Sequence, residues 1–130
     1  MTEEREEPEW LGAAFAQTVH DLQLAEHGGA RGVRDRGALD SALGRPRNRW
    51  SYGEDDLIVL AAAYAFGVAR NHPFTDGNKR TAWVCARTFL ELNNVALNFA
   101  KQDAIAMVLA LAAGELTEDE VADWFRQHLG

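Results

Sequence analysis

The amino-acid sequence predicts an all-α protein, a compact bundle of about six helices in one domain spanning residues 1–130. Three observations lead to this prediction. Apolar residues recur at three- and four-residue steps through much of the chain, which is the spacing of helices with one buried face. Residues 57–69, LIVLAAAYAFGVA, are apolar on nearly every side, as expected of a helix at the centre of a fold. A length of 130 residues suits a single hydrophobic core.

The first two helices are predicted from signals at their ends. Pro8 suits the first turn of a helix that the glycine pair at 28–29 would end. Asp35 is a candidate N-cap for a short second helix over residues 36–43, and the Gly-Arg-Pro segment at 44–46 would close it. The predicted buried stripe of the first helix is Leu11, Phe15, Val19 and Leu22.

The central helix and its successor are predicted from charge and apolar spacing. Three acids at 54–56 are predicted as acidic first-turn residues of the central helix, which reaches about Arg70. The next helix covers residues 77–92, and the Asn-Asn pair at 93–94 ends it. Its predicted inward side chains are Ala82, Cys85, Ala86, Phe89 and Leu90.

Two more helices are predicted near the C-terminus, at 101–113 and 118–128. Thr117, with a glutamate three residues later, has the spacing of a capping box that opens the last helix. Residues 95–99, VALNF, allow a short strand, and one small β-hairpin would lie beside the loop at 71–80.

Charge and composition narrow the classes of function. The net charge of −7 opposes direct nucleic-acid binding through phosphate contacts. The N-terminus, MTEEREEPEW, is acidic where a secretory signal would be basic, and the longest apolar run is shorter than the roughly 18 residues of a membrane span. Cys85, the only cysteine, lies in an apolar helical pattern that favours a buried structural thiol. We therefore expect a cytoplasmic protein with no nucleic-acid or membrane partner.

Residues 71–83, NHPFTDGNKRTAW, gather reactive side chains at the start of a predicted helix. Pro73 disfavours helical geometry at His72, so the histidine should lie in an extended, positioned segment facing solvent or a cleft. Gly77 permits close approach of a ligand, and the free amides at a helix start favour phosphate. Three side chains add a neutral donor and two positive charges: Asn78, Lys79 and Arg80.

The acid in this window indicates a metal. A carboxylate beside phosphate is unfavourable unless a divalent cation lies between them, so Asp76 implies Mg²⁺. His72 could then take a proton from an attacking hydroxyl, which predicts phosphoryl or nucleotidyl transfer from a nucleotide. Taken singly, His72 is more often a structural residue, Asp76 an N-cap, and Phe74 a core anchor. A zinc site lacks partners, because the other histidines are distant in sequence: His20, His27 and His128.

The segment HPFTDGNKR, residues 72–80, resembles the opening of the Fic/Doc family pattern H-x-F-x-[D/E]-G-N-x-x-R. The K-R-T-A after the asparagine resembles the death-on-curing (Doc) branch, as does the upstream stretch GGARGVRDRGALDSALGRP at 28–46. The resemblance covers nearly the whole chain and implies a Fic fold in which His72 is the catalytic base and Asp76 holds Mg²⁺. It also implies that four residues surround the nucleotide phosphates: Gly77, Asn78, Lys79 and Arg80.

Two positions depart from the Fic nucleotidyl transferases, which read H-P-F-x-[D/E]-G-N-G-R-x-x-R. Lys79 replaces the second glycine, and Trp83 replaces the final arginine, a bidentate phosphate clamp. Resemblance to the Doc branch therefore implies kinase-like transfer of the ATP γ-phosphate to a Thr or Ser hydroxyl of a translation factor, elongation factor Tu, which arrests translation. The alternatives are an AMP transferase and a catalytically silent regulatory binding module.

Resemblance to the Doc branch implies a toxin, and an enzyme that arrests translation must be inhibited until it is needed. The sequence has no match to the inhibitory pattern [S/T]-x-x-x-E-[G/N] of some Fic proteins. The resemblance implies a Phd-like antitoxin whose C-terminal segment fills the groove beside the motif, within a toxin–antitoxin module. An arginine-rich stretch at 31–49 is a candidate wall of that groove; its alternative is a solvated loop. The stretch contains Arg31, Arg34, Arg36, Arg45, Arg47 and Arg49.

Overall fold

The structure is a computed structural model that describes residues 5–130 and confirms the all-α prediction. Residues 1–4, the start of the predicted acidic N-terminus, lie outside the described residues. Within residues 5–130 there are six helices: α1 (Ala13–His27), α2 (Arg36–Ser51), α3 (Leu57–Asn71), α4 (Asn78–Leu92), α5 (Lys101–Ala112) and α6 (Glu118–Gln127).

Helix α3 is the centre of the bundle, as its apolar sequence predicts. It packs against α2, α4, α5 and α6, and ten of its fifteen residues are buried. The helix begins at Leu57, so the three acids predicted in its first turn precede it, and Asp56 instead caps the helix by accepting a hydrogen bond from the backbone N–H of Ile58. Helix α4 lies against α3, and its predicted inward side chains are all buried: Ala82, Cys85, Ala86, Phe89 and Leu90. Cys85 is buried, as predicted, and its burial raises the pKa of the thiol to about 12.

Helix α1 begins at Ala13, later than the proline signal predicts. The chain before it is tied to the bundle through its backbone. Glu9 donates its N–H to the side chain of Asn93 at 2.9 Å and accepts from the same side chain at 3.0 Å. The N–H of Leu11 donates to the buried hydroxyl of Tyr64 at 3.0 Å. These tertiary hydrogen bonds replace those of the expected first helical turns.

The predicted buried stripe of α1 is wrong at two positions. Phe15 and Leu22 are 41% and 61% exposed, although Leu11 and Val19 are buried. The helix turns a neighbouring face to the core, because the loop before α4 packs against that face. The buried residues of α1 are Ala16, Val19, His20 and Leu24.

Helix α2 is longer than predicted, since it continues through Gly44 and Pro46 to Ser51. The predicted N-cap is confirmed, because the Asp35 side chain accepts from the N–H of Ala38 at 3.0 Å. A proline inside a helix costs about 3 kcal/mol. Pro46 is buried, so packing against the bundle offsets that cost.

A charged cluster links the second half of α2 to α6. The Glu118 carboxylate is only 10% exposed and accepts from Arg45 Nε at 2.6 Å and from the Arg49 guanidinium. The hydrogen bond to Glu118 raises the pKa of Arg45, although partial burial opposes the shift. This pairing holds the part of α2 that the sequence predicts as loop.

The close contact of α2 and α3 depends on Gly67. A Cβ at that position would lie 3.1 Å from both the Cα and the carbonyl oxygen of Ala42. Because both atoms are backbone, the helices would have to separate. At Gly44, within α2, a Cβ would meet no atom of the described residues within 4 Å. We expect Gly67→Ala to be less stable than Gly44→Ala by about 1–3 kcal/mol in urea unfolding, since both substitutions gain the same helix propensity. Equal stabilities would contradict this packing interpretation.

The C-terminal elements are largely as predicted. Helices α5 and α6 form, and Thr117 and Glu120 complete the predicted capping box. Neither the strand at 95–99 nor the hairpin forms in the described part of the chain, which has only isolated antiparallel bridges there, Val33 to Phe74 and Leu97 to Leu129. None of the described helices is long and apolar enough to cross a membrane.

Candidate active site

The loop at 72–77 joins α3 to α4 and packs against the segment at 28–35. The carbonyl of Pro73 accepts from two consecutive backbone N–H groups of that segment, at 2.8 and 3.1 Å. In return, the N–H of Thr75 donates to the carbonyl of Gly32 at 3.0 Å. The two sequence stretches that carry the family resemblance therefore form one structural unit.

His72 ends α3 in a left-handed conformation, with φ 48° and ψ 54°. The prediction of an extended segment is therefore wrong, although the histidine does lie outside the helix. Such a conformation costs a residue other than glycine about 1–2 kcal/mol. The next residue, Pro73, disfavours the right-handed alternative. The His72 side chain is exposed, while Pro73 is buried.

Phe74 anchors the loop in the core, as predicted, with 1% of its surface exposed. Its ring stacks on that of His20, with centroids 3.9 Å apart. The side chain of Asn78 binds the backbone of Phe74 at both ends, accepting from its N–H at 2.9 Å and donating to its carbonyl at 3.0 Å. Because the Asn78 side chain is occupied in this way, its backbone N–H is the group that remains for a ligand.

The sequence does not predict the role of His20, which lies beneath the loop. It is 2% exposed, and its Nε2–H donates to the carbonyl of Asp76 at 2.6 Å. It therefore holds the loop from the side that faces the core, where its ring also stacks on that of Phe74. Only its place on the buried face of a helix could have signalled this role, since 56 residues separate it from Asp76.

The Asp76 carboxylate is exposed and held by main-chain groups. Its Oδ1 accepts from the N–H of Gly77 at 2.8 Å, and its Oδ2 accepts from the N–H of Ala30 at 3.4 Å. These hydrogen bonds, first that of Gly77, lower the pKa of Asp76 below its ordinary value. Gly29 leaves room for it, because a Cβ there would lie 2.9 Å from Oδ2. The carboxylate is thus a fixed anion suited to a cation.

The start of α4 supplies positive charge and free donors. Gly77 is the N-cap, with φ 76° and no side-chain cap, so the first-turn N–H groups lack a capping side chain. Lys79 is exposed. Arg80 donates from Nη2 to the carbonyl of Gly28 at 3.3 Å, and its buried Nε has no partner among the described residues. A helix start of this kind attracts an anion.

All six predicted site residues line one cleft of about 870 Å³, whose other wall is α5. They are His72, Asp76, Gly77, Asn78, Lys79 and Arg80. The cleft lining includes no residue of the arginine-rich stretch at 31–49. Arg45 and Arg49 instead line a separate cleft of about 630 Å³. The beginning of that stretch contacts the motif loop, through Arg34 above all, but none of its arginines lines the catalytic cleft.

The donor set suits Mg²⁺ rather than zinc. Within residues 5–130, no three His, Cys, Asp or Glu side chains are grouped so as to hold a metal ion. Mg²⁺ usually takes one or two carboxylates and completes its shell with phosphate oxygens and water. The single anionic carboxylate of Asp76, beside a helix start suited to an anion, fits that requirement.

A second cleft, here called the apolar groove, adjoins the first. It measures about 660 Å³, lies between α1, α4 and α5, and shares Lys79, Arg80 and Leu109 with the first cleft. Its apolar lining includes Trp83, Val84, Phe99 and Ile105. Trp83 packs edge-on against Phe99, with centroids 5.1 Å apart, so it is part of the groove wall.

Comparison with known proteins agrees with the geometry. The model of the Fic/DOC family matches residues 10–90. The chain is 35% identical over 113 residues to the protein kinase doc of Escherichia phage P1, covering 86% of this chain and 89% of that protein. It is 51% identical over 73 residues to the toxin Doc of Mycolicibacterium smegmatis, covering 54% of this chain and 55% of that protein.

Proposed function

The chain belongs to the Fic/Doc family, and from this premise we propose that it is an ATP-dependent protein phosphotransferase, the toxin of a toxin–antitoxin module. The observation that carries the proposal is the meeting of His72, Asp76 and the first turn of α4 on one cleft. The proposed acceptor is a Thr or Ser hydroxyl of elongation factor Tu. In this proposal, residues 1–130 form a single catalytic domain.

Two residues favour transfer of the γ-phosphate over transfer of AMP. Lys79 brings a long cation into the first turn of α4, where a glycine would leave room for the α-phosphate. Trp83 packs against Phe99 and Trp124, so this position offers no guanidinium to clamp a phosphate. The name of the phage P1 relative, a protein kinase, points the same way.

The proposed reaction is a direct displacement at the γ-phosphorus of ATP. The acceptor oxygen forms a bond to that phosphorus, the bond from the γ-phosphorus to the β–γ bridging oxygen breaks, and ADP leaves. His72 takes the proton of the acceptor hydroxyl. The first-turn amides and the charges of Lys79 and Arg80 orient the phosphates.

Mg²⁺ is the proposed metal, held by Asp76. When bound, it would neutralise phosphate charge and polarise the transferring group. The Asp76 side chain is kept anionic and in place by the N–H groups of Gly77 and Ala30. His20 fixes the main chain of the same residue.

The test of the function is the position of the transferred label. The purified chain is incubated with elongation factor Tu, Mg²⁺ and ATP labelled at either the γ- or the α-phosphate. Label from γ alone supports the phosphotransferase, whereas label from α would show an AMP transferase. If neither labels elongation factor Tu, the same assay on whole lysate decides between a different target and a silent binding module.

The antitoxin is proposed to bind the apolar groove. A Phd-like C-terminal segment there would lie beside Lys79 and Arg80 and so obstruct the catalytic cleft. The groove offers apolar lining together with a basic rim that includes Arg87 and Lys101, which suits a segment with both apolar and acidic side chains. The groove thereby replaces the arginine-rich stretch at 31–49 as the proposed site.

Ile105→Glu is expected to weaken antitoxin binding by at least about tenfold, because it places a charge on the apolar lining. Ile105 is 50% exposed, so the substitution should leave the fold unchanged. Tyr52→Glu is the matched control, since Tyr52 is 93% exposed and lines the Arg45–Arg49 cleft. Calorimetry with the C-terminal peptide of the cognate antitoxin measures both. If Tyr52→Glu weakened antitoxin binding and Ile105→Glu did not, the arginine-rich stretch at 31–49 would be the antitoxin site instead of the apolar groove.

A further inference from the structure

Arg34 lies outside the motif, yet its side chain binds the backbone of the proposed catalytic histidine. Its Nε and Nη2 donate to the carbonyl of His72 at 2.9 and 2.6 Å. Nη2 also donates to the carbonyl of Asn71 at 3.1 Å. In the described part of the chain, all the hydrogen bonds of this guanidinium go to carbonyls at the end of α3.

The backbone N–H of Arg34 binds Pro73, the residue that follows His72. It donates to the carbonyl of Pro73 at 2.8 Å, so Arg34 binds the carbonyls of two consecutive residues, His72 and Pro73. The carbonyls of Asn71 and His72, which the guanidinium binds, lie at the end of α3, where carbonyls lack helix partners and carry the negative end of the helix dipole. The rigid planar fork of arginine suits two acceptors on adjacent residues.

Left-handed geometry at His72 needs such support. A strained conformation of a residue other than glycine persists only where its surroundings determine it. Helix α3 fixes the chain before His72, and buried Pro73 and Phe74 fix the chain after it. The carbonyl of His72 lies between these two fixed parts of the chain. The Arg34 side chain donates two hydrogen bonds to it.

We infer that Arg34 is a positioning residue for the proposed transfer: it holds the left-handed backbone that presents the His72 imidazole to the catalytic cleft. This inference rests on the proposed function, because it assigns His72 the proton. Arg34 does not line the catalytic cleft, so its proposed role is to act through His72. A positional error of about 1 Å at a catalytic group can cost about 100-fold in rate.

Arg34→Gln and Arg34→Lys test the inference, with Arg36→Gln as the matched control. Arg36 is an exposed arginine two residues away whose ion pair is with Asp40 on the same helix. We expect Arg34→Gln to lower kcat about 10- to 100-fold with KM for ATP unchanged within about twofold. Arg34→Lys keeps the charge but loses the fork, so it should recover only part of kcat. Arg36→Gln should match the wild type.

A second measurement does not depend on activity. The Cα, Cβ and carbonyl ¹³C shifts of His72 report its backbone conformation, and they should change in Arg34→Gln and stay constant in Arg36→Gln. If the wild-type chain transfers no phosphate, the proposed function fails and these shifts alone decide the role of Arg34. If Arg34→Gln does not fold, Arg34→Lys is carried through both measurements. Unchanged His72 shifts, a loss confined to KM, or equal losses in the Arg34 and Arg36 variants would overturn the inference.

Discussion

Replacing His72 by asparagine is expected to lower phosphotransfer about 100- to 10,000-fold, the usual contribution of a positioned acid–base group. Expression of this variant should also no longer arrest growth. The His72 side chain is exposed, and the loop is held through its main chain by Arg34, so the fold does not depend on the imidazole. Melting temperature and labelled-phosphate transfer, measured together, check both expectations.

Asparagine is a better test than alanine because His72 has a positive φ of 48°. Asparagine tolerates left-handed geometry more readily than alanine does, so it removes the base while preserving the backbone. His128→Ala is the control: it removes a histidine that packs on Trp124 at the end of α6. His128→Ala should retain activity. Growth arrest that survives His72→Asn would favour the silent binding module over chemistry.

Local signals explain why most of the fold could be predicted from the sequence. The predicted caps at Asp35 and Thr117 each form within a few residues of the chain, and the structure contains both. Helix α3 could be predicted because a stretch apolar on every side has only the centre of a bundle to occupy. These elements need no knowledge of distant contacts.

The errors in the fold come from distant contacts. Helix α1 starts late because residues near 9 bind Asn93 and Tyr64, far along the chain. Helix α2 continues past Pro46 because Glu118 of α6 holds Arg45 and Arg49. In both cases a tertiary interaction overrides a correct local signal, and no periodicity within one segment could show it.

The candidate site divides in the same way. Its six predicted residues lie within nine positions of the sequence, so their grouping on one cleft follows from a single loop and helix start. The residues that hold this loop come from elsewhere, His20 from α1 and Arg34 from the segment before α2. The roles of these two could not be read from the motif, because each binds a main-chain carbonyl rather than a side chain.

Asp76→Asn is expected to weaken Mg²⁺-dependent transfer at least about 100-fold, since even residues that only orient metal ligands contribute about 10- to 100-fold to metal affinity. The amide oxygen of asparagine can still accept from the N–H of Gly77, so the loop should keep its shape while the charge is lost. Titration of the activity with Mg²⁺ measures the change. Asp40→Asn, which removes an exposed carboxylate paired with Arg36, should leave the titration unaltered. The same Mg²⁺ dependence in Asp76→Asn and the wild type would exclude Asp76 as the ligand.

The lowered pKa of Asp76 sets the pH range of its contribution. The pKa of Asp76 in the folded state lies below the ordinary aspartate value. The hydrogen bonds that Asp76 accepts therefore stabilise the fold at pH values above that ordinary pKa. This contribution is lost as the pH falls through the lowered pKa. Asp76 is therefore ionised throughout the neutral range, and its protonation should not shape the pH dependence of transfer there.

Excess Mg²⁺ should restore part of the activity of Asp76→Asn but none in His72→Asn, because mass action can refill a weakened metal site and cannot replace a missing base.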